Sequence, residues 1–160
     1  MDSSELSLLR TAISQAWNAV VITDADAANG YPVAFANPAF CRMTGYTLEE
    51  LRGNSLKMLQ GPATDPALLN EMRIRLREGR FFEGQTTNYR KDGTPYIVQW
   101  NISPVLNGSG EITHFVSVQR DMTEVVQAGE RERILSQALN VTSDPIFLTD
   151  LNSRIVFANT

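Results

Sequence analysis

Cysteine and histidine, two residue types common in nucleophilic catalysis and metal binding, each occur once in this chain. The chain has one cysteine, Cys41, so no disulfide can form within it, and we interpret this cysteine as a small buried hydrophobe. Its one histidine, His114, lies in a strand-like run without a nucleophile or a partner at metal-ligand spacing. The sequence therefore predicts neither an enzyme nor a metal site.

Charge and hydropathy narrow the choice of partners. The 160-residue chain has a net charge of −4, which disfavours nucleic acid as a partner, because phosphate binding needs clustered positive charge. The arginines from Arg73 to Arg80 are accompanied by Glu71, Glu78 and Glu83, and the run is interpreted as a solvated helix face. The first residues are acidic, unlike a signal peptide, and no apolar run approaches the roughly 20 residues that span a bilayer. We expect a soluble, cytoplasmic chain that does not contact a membrane.

Helical patterns occur at the start of the chain and again in its middle. Residues 2–17 are predicted to form a helix with an apolar seam of Leu6, Leu9, Ile13 and Ala16. This seam packs either on the sheet of its own domain or on a second copy of the chain. Two further helix starts carry capping signals, which are Thr47 with Glu50 three residues on, and Asp65 before Pro66.

Strand patterns surround these helices. Five segments have the composition and turn signals of strands: residues 19–23, 33–36, 80–91, 95–105 and 111–120. The dipeptide Asp92-Gly93 gives the clearest hairpin signal. This order predicts an α+β fold, in which a five-stranded antiparallel sheet has helices inserted between its second and third strands and is flanked by N- and C-terminal helices.

The end of the chain repeats its beginning. Residues 146–150 match residues 20–24, and residues 156–159 match residues 34–37 after a turn that is four residues shorter. Two strands without the other three cannot bury their faces, so we interpret residues 143–160 as the truncated start of a second domain of the same kind. The predicted organisation is a flanking helix (1–17), one domain (18–124), a linker helix (125–142) and this partial copy (143–160).

Five motifs, in order and at family spacing, resemble the PAS domain family and, within it, the LOV (light, oxygen, voltage) subtype. They are Phe35-Ala36-Asn37-Pro38-Ala39-Phe40, Thr44-Gly45-Tyr46, Leu59-Gln60-Gly61, Asn88-Tyr89-Arg90-Lys91-Asp92-Gly93-Thr94-Pro95, and His114-Phe115-Val116-Ser117-Val118-Gln119-Arg120-Asp121-Met122-Thr123-Glu124. They cover about residues 19–124. The resemblance implies a PAS fold and a sensory or signal-relaying module of a larger bacterial signalling protein.

The resemblance also draws attention to one missing thiol. LOV domains bind FMN, and a cysteine in an Asn-Cys-Arg-Phe-Leu-Gln stretch forms a photoadduct with the flavin. The matching stretch here is Ser55-Leu56-Lys57-Met58-Leu59-Gln60, so Leu56 stands where the family has that cysteine. An aliphatic side chain cannot add to a flavin, and Cys41 lies on an earlier helix at a position the family does not use. The resemblance therefore implies a domain that is unable to form a cysteinyl-flavin photoadduct.

The other positions that contact flavin in the LOV subtype are retained in part. Four residues match those that contact the ring, the ribityl chain or the phosphate, namely Gln60, Arg73, Asn88 and Gln119. Lys57 replaces an arginine and keeps its charge without the bidentate fork. Ser55 replaces an asparagine near the ribityl chain, and Val98 replaces one that pairs with the ring edge.

Strand alternation adds two bulky residues to this predicted pocket. It puts Val98 and Trp100 on one face of their strand, so that Trp100 and Leu56 add bulk where a flavin ring would sit. Three interpretations stay open: a bound flavin, FMN above all; no tightly bound cofactor; or another small ligand.

Two compatible functional hypotheses follow. As a sensor, the domain would pass changes in its pocket through residues 121–140 to a downstream signalling domain of the same chain. As a dimerisation module, it would form a homodimer through the N-terminal and linker helices. The alternative is a flavin-binding redox sensor, or a light sensor that works without the adduct.

Overall fold

The computed structural model describes residues 2–141 and 146–158, with the backbone alone for residues 3, 6, 140 and 141. The chain divides after residue 122 into two compact units, and each is described by itself. The first unit contains α1 (Ser3–Gln15), β1 (Ala19–Asp24), β2 (Val33–Ala36), α2 (Pro38–Thr44), α3 (Leu48–Leu51), a 3-10 turn (Leu56–Leu59), α4 (Pro66–Arg77), β3 (Phe82–Tyr89), β4 (Pro95–Leu106) and β5 (Ile112–Asp121).

The five strands of the first unit form one antiparallel sheet in the order β2-β1-β5-β4-β3. Three helices and the 3-10 turn lie between β2 and β3 in the chain, as predicted. Side chains alternate along each strand, and on β5 the alternate residues Phe115, Ser117 and Gln119 are buried. The predicted α+β fold with a five-stranded antiparallel sheet is confirmed.

Side-chain caps start the helices where the sequence predicts them. Thr47 Oγ1 accepts the Glu50 amide at 3.2 Å, and Glu50 Oε2 accepts the Thr47 amide at 3.0 Å. Asp2 caps α1 in the same reciprocal way, and Asp65 caps α4 ahead of Pro66. These caps satisfy backbone amides that have no partner inside the helix.

The apolar core of the first unit consists of two clusters. One joins β1 and β2 to α2, α3 and the 3-10 turn, through Ala19, Val21, Val33, Ala36, Phe40, Leu51 and Leu59. The other joins α4 to β3, β4 and β5, through Leu69, Leu76, Phe82, Tyr96, Val98, Trp100 and Phe115. The helices and the turn are thus joined to the sheet through these two clusters.

One buried polar side chain connects α1 to the sheet. Asn37, which caps α2 through the Phe40 amide at 2.9 Å, also accepts the Val20 amide at 2.9 Å. Its Nδ2 donates to the carbonyls of Ile13 and Asn18, both at 3.0 Å. The same residue therefore fixes the end of α1, the start of β1 and the start of α2.

The remainder of α1 presents an apolar surface. The helix ends two residues before the predicted limit, and Leu8 and Leu9 are 70% and 50% exposed. Ile13 and Ala16 are half-buried, whereas the side chain of Leu6 lies outside the described residues. Of the predicted seam, Leu9 is therefore left uncovered by the sheet of its own domain, whereas Ile13 and Ala16 are partly covered.

The second unit contains α5 (Thr123–Val141) and a hairpin of β6 (Phe147–Thr149) and β7 (Ile155–Ala158). Phe147 pairs with Ala158, and a register shift follows Leu148. The β1–β2 pair has the same register, with a shift after Ile22 at the matching position. The predicted limit between linker helix and partial copy falls on residues 142–145, which, like Asn159, lie outside the described part of the chain.

Candidate functional site

A cavity of about 260 Å³ opens in the first unit, next to the second core cluster. Its walls come from β1, the loop before β2, the 3-10 turn, α4 and the strands β3, β4 and β5. This volume is just below the roughly 300–1,000 Å³ that is typical of small-molecule sites. The fold therefore provides a pocket of the size of a ring system rather than a filled core.

Eight of the nine predicted site residues line this cavity: Ser55, Leu56, Lys57, Gln60, Arg73, Asn88, Trp100 and Gln119. The ninth, Val98, is fully buried in the core cluster and is not among the lining residues. Val98 and Trp100 do share a face of β4, as alternation predicts, but only the longer Trp100 side chain reaches the cavity wall.

The stretch from Ser55 to Gln60 is held against the loop before β2. Ser55 caps the 3-10 turn, and its Oγ donates to the Gly30 carbonyl at 2.7 Å. In the same loop Tyr31 has a left-handed backbone, with φ of 60°, and its ring packs edge-on against Phe115 at 5.7 Å between centroids. Tyr31 lines the cavity although nothing local in the sequence marks it.

Gly61 allows the chain after the 3-10 turn to pass close to β3. An added Cβ at this position would lie 2.3 Å from Cε2 of Tyr89. The Tyr89 hydroxyl accepts the Ala63 amide at 3.0 Å, and Thr64 Oγ1 donates to the Thr87 carbonyl at 2.6 Å. This close contact places Gln60 in the cavity wall.

Three cations stand at the cavity: Lys57, Arg73 and Arg77. Lys57 and Arg77 are exposed and Arg73 is half-buried. Among the described residues, no carboxylate forms an ion pair with any of them. The site therefore carries uncompensated positive charge, which favours an anionic group.

The expectation of a solvated helix face is correct for only some of the basic residues. Arg75 pairs with Glu71 at 2.6 Å, and Arg80 pairs with Glu78, both on the exposed surface. Arg73 and Arg77 instead line the cavity. Arg77 was missed as a site residue, although its place four residues after Arg73 puts it on the same helix face.

The strand wall of the cavity contains two buried polar side chains without full hydrogen bonding. Trp100 on β4 stands directly opposite Gln119 on β5, and they are 5% and 7% exposed. Gln119 Nε2 donates to Ser117 Oγ at 3.2 Å. Gln119 Oε1 and Trp100 Nε1 have no partner among the described residues. Buried polar atoms are rarely left unpaired in native proteins.

The cysteine and the histidine are not among the residues that line this cavity. Cys41 on α2 is half-buried against the first core cluster, and burial raises the pKa of its thiol above the usual value. His114 Nε2 lies 3.1 Å from Asp24 Oδ1 on the neighbouring strand. Within the described ranges, no three His, Cys, Asp or Glu side chains are grouped as a metal site requires. No helix there has the length and apolar character needed to cross a bilayer.

Comparison with protein families and curated proteins shows what this chain is similar to. The sequence model of the PAS domain family matches residues 18–124. The nitrogen fixation regulatory protein of Klebsiella oxytoca is 34% identical over 156 residues, covering 95% of this chain and 31% of that protein. Phototropin-1A of Oryza sativa subsp. japonica is 32% identical over 127 residues, covering 79% and 14%. The chain thus spans about a third or less of the length of these relatives.

Solved structures give the same result. An RNA-binding light-oxygen-voltage receptor superposes with a TM-score of 0.75 at 31% identity, covering 86% of this chain and 39% of that one. A light-oxygen-voltage domain described with a flavin analogue superposes with a TM-score of 0.66 at 31% identity, covering 86% and 98%. The chain is homologous to sensory modules of signalling proteins.

Proposed function

Because the chain belongs to the PAS domain family, we propose that it is a signal-relay and dimerisation module that cannot form a cysteinyl-flavin photoadduct. The observation that carries the relay is the position of β5. Its buried residues Phe115, Ser117 and Gln119 line the cavity, and the strand ends at Asp121, two residues before α5 begins. A change in the conformation of Gln119 would thus occur on β5, the strand that directly precedes α5 in the chain.

The end of β5 is also fixed to the core. Arg90 donates to the Met43 carbonyl and pairs with Asp121, and its guanidinium lies 4.5 Å from the centroid of the Tyr96 ring. A half-buried pair of this kind is a firmer contact than an exposed one. Because the Arg90–Asp121 pair holds the end of β5 in place, it supports the proposal that a structural change at the cavity reaches the end of this strand.

The absence of adduct chemistry is supported by the cavity wall. Leu56 lines the cavity, whereas Cys41, the only cysteine of the chain, does not. The test compares the wild type, Leu56→Cys and Cys41→Ser, each mixed with FMN and illuminated with blue light. We expect lasting bleaching of the flavin bands only in Leu56→Cys. Lasting bleaching in the wild type that disappears in Cys41→Ser would refute the proposal.

A second candidate function, a flavin-binding redox or non-adduct light sensor, is favoured by Lys57, Arg73 and Arg77, which form no ion pair within the described part of the chain. The resemblance implies that Arg73 contacts the phosphate. Lys57, which stands at an arginine position of the family, and Arg77 line the same cavity. By the same resemblance, Gln60, Asn88 and Gln119 would contact the ring, the ribityl chain or the phosphate, and Ser55 would lie near the ribityl chain, although the Ser55 hydroxyl is already engaged with Gly30. A bound flavin would supply blue-light absorption and a redox couple.

The phosphate assignment has a direct test. Wild type should bind FMN more tightly than riboflavin, because riboflavin lacks the phosphate. Arg77→Ala should reduce that preference several-fold, whereas the matched control Arg75→Ala, which removes an exposed pair with Glu71, should not. Equal affinity of the wild type for the two flavins would contradict the assignment, and no flavin binding at all would remove this second function.

Dimerisation is supported by apolar residues that stay exposed on both flanking helices. On α1 these include Leu8 and Leu9, and on α5 they include Val125, Ile134 and Leu135. Light scattering on a chain shortened to begin at residue 18 tests the contribution of α1 to the dimer. We expect the dimer mass of the full chain to fall to that of a monomer, and an unchanged dimer would refute this interface.

Four further expectations complete this proposal. We propose that the module has no catalytic turnover of its own, acts in the cytoplasm and signals to a downstream domain of the same protein. We also propose that β6 and β7 begin a second PAS domain, which the shared register and bulge support. Since a two-stranded hairpin is marginal by itself, amides of β6 and β7 should exchange with solvent much faster than those of β1 and β2.

A further inference from the structure

A tryptophan at the start of the sheet points into solvent, although the backbone on both sides of it is held in place. Trp17 follows α1, precedes β1 and is 99% exposed. Asn37 Nδ2 donates to the carbonyls of Ile13 and Asn18, both at 3.0 Å. The Asn18 side chain in turn accepts Arg120 Nε at 3.1 Å. Because its flanks are fixed, Trp17 is oriented before any partner arrives, which reduces the conformational entropy lost on binding.

Full exposure is unusual for this residue type. Tryptophan side chains are highly buried on average, and each buries about 150–250 Å² in a core or an interface. Tryptophan is also enriched among the few residues that dominate the affinity of protein interfaces. A fixed and fully exposed Trp17 therefore has the properties of an anchor for another surface.

A groove that could receive such an anchor lies on the outer face of the same sheet. Val118 and Arg120 on β5 contribute to it, and they alternate with Ser117 and Gln119, which line the cavity on the other face. The groove has a volume of about 290 Å³, and its lining includes Asn18, Glu83, Gln99, Asn101, Val118 and Arg120.

The chemistry of the groove suits an indole ring. Val118 offers an apolar contact, and the Arg120 guanidinium can lie over the face of an aromatic ring. The side-chain oxygens of Gln99 and Asn101 are acceptors for an indole N–H. Neither Arg120 nor Glu83 forms an ion pair within the described part of the chain, so both remain available to a partner.

The anchor and the groove lie side by side on one copy. Trp17 does not line the groove, whereas Asn18, the next residue, does. Two copies related by a two-fold axis can each place Trp17 in the groove of the other, because a two-fold interface uses the same patch on both copies. Glu83 and Arg120 give the groove one charge of each sign, so that two facing grooves need not repel each other.

We propose that Trp17 of one copy inserts into the outer-face groove of a second copy of this chain, and that the second copy does the same in return. This inference rests on the proposed dimerisation. It adds to the exposed apolar surface of α1 a specific anchor residue and the surface that receives it.

The first test follows the fluorescence of the unmodified chain during dilution. Trp100 is 5% exposed, so iodide should quench the emission of Trp17 alone. As the protein concentration rises through the range of dimer formation, we expect this quenching to fall several-fold and the Trp17 emission to move to shorter wavelength. Quenching that stays high in the dimer would overturn the proposal. So would weak quenching at every concentration, because the chain itself would then cover Trp17.

The second test measures the dimer dissociation constant by sedimentation. Trp17→Ala removes two anchors from each dimer and should raise this constant about 100-fold or more. Asn101→Arg adds a second bulky cation to the groove beside Arg120 and should raise it at least about tenfold. The matched controls are Ile74→Ala and Asn70→Arg, both at exposed positions of α4, and they should stay within about twofold of the wild type.

The outcomes separate this inference from the dimerisation on which it rests. If Trp17→Ala and Asn101→Arg dimerise like the wild type while the chain that begins at residue 18 is a monomer, α1 forms the interface without the anchor, and the role of Trp17 alone is overturned. A wild type that stays monomeric at every concentration would overturn the proposed dimerisation itself.

Discussion

Asn37→Ala is expected to be among the most damaging single substitutions in the first unit. The side chain is fully buried and makes four hydrogen bonds, to Ile13, Asn18, Val20 and Phe40, at 2.9–3.0 Å. At about 1 kcal/mol net for each bond, the loss amounts to about 3–5 kcal/mol. That is a large part of the total of roughly 5–15 kcal/mol that holds a domain folded.

Urea unfolding of Asn37→Ala against the wild type measures this loss. The matched control is Asn54→Ala, because Asn54 is exposed and its side chain makes one bond, to the Glu50 carbonyl at 2.9 Å. The control should lose less than about 1 kcal/mol. If Asn37→Ala loses no more than the control, the role assigned to Asn37 is wrong.

A double-mutant cycle isolates the connection to α1. In a chain that begins at residue 18, the carbonyl of Ile13 is absent, so Asn37→Ala should cost about 1 kcal/mol less than in the full chain. An equal cost in both chains would show that the bond to Ile13 contributes nothing measurable.

Three other predictions concern single positions. Gly61→Ala should destabilise the domain by about 1–3 kcal/mol, because its Cβ would lie 2.3 Å from the Tyr89 ring; an unchanged urea midpoint would contradict this. Burial raises the pKa of Tyr96 to about 12, above the value near 10 of an unfolded tyrosine. The free energy of unfolding is therefore unaffected by Tyr96 below pH 10, and ionisation of the unfolded tyrosine should lower it by about 2–3 kcal/mol as the pH rises towards 12. Tyr96→Phe should not show this loss. Burial also raises the pKa of the Cys41 thiol, so a thiol reagent at pH 8 should react with it more slowly than with the unfolded chain, and equal rates would exclude this protection.

Several features of this protein follow from the sequence alone, because their causes act over a few residues. The capping pairs at Thr47 and Asp65 place the starts of two helices within a residue of their observed positions. Alternation along β5 predicts that Phe115, Ser117 and Gln119 share a buried face. Leu56 has no thiol in any conformation, so the lack of a reactive cysteine at this position follows from the sequence alone.

The composition of the cavity wall was decided by tertiary packing. Val98 and Trp100 share a face of one strand, yet only Trp100 lines the cavity, since side-chain reach and the position of α4 determine which residue meets the space. Arg77 lines the same cavity as Lys57 although the two are 20 positions apart in the chain, and Tyr31 contributes to it from a loop with no signal of its own. Trp100 and Gln119 likewise face each other only because β4 and β5 pair in this register. Local sequence patterns predict which face of a helix or strand is buried. How those faces pack against one another depends on contacts between residues far apart in the chain, which no short stretch of sequence contains.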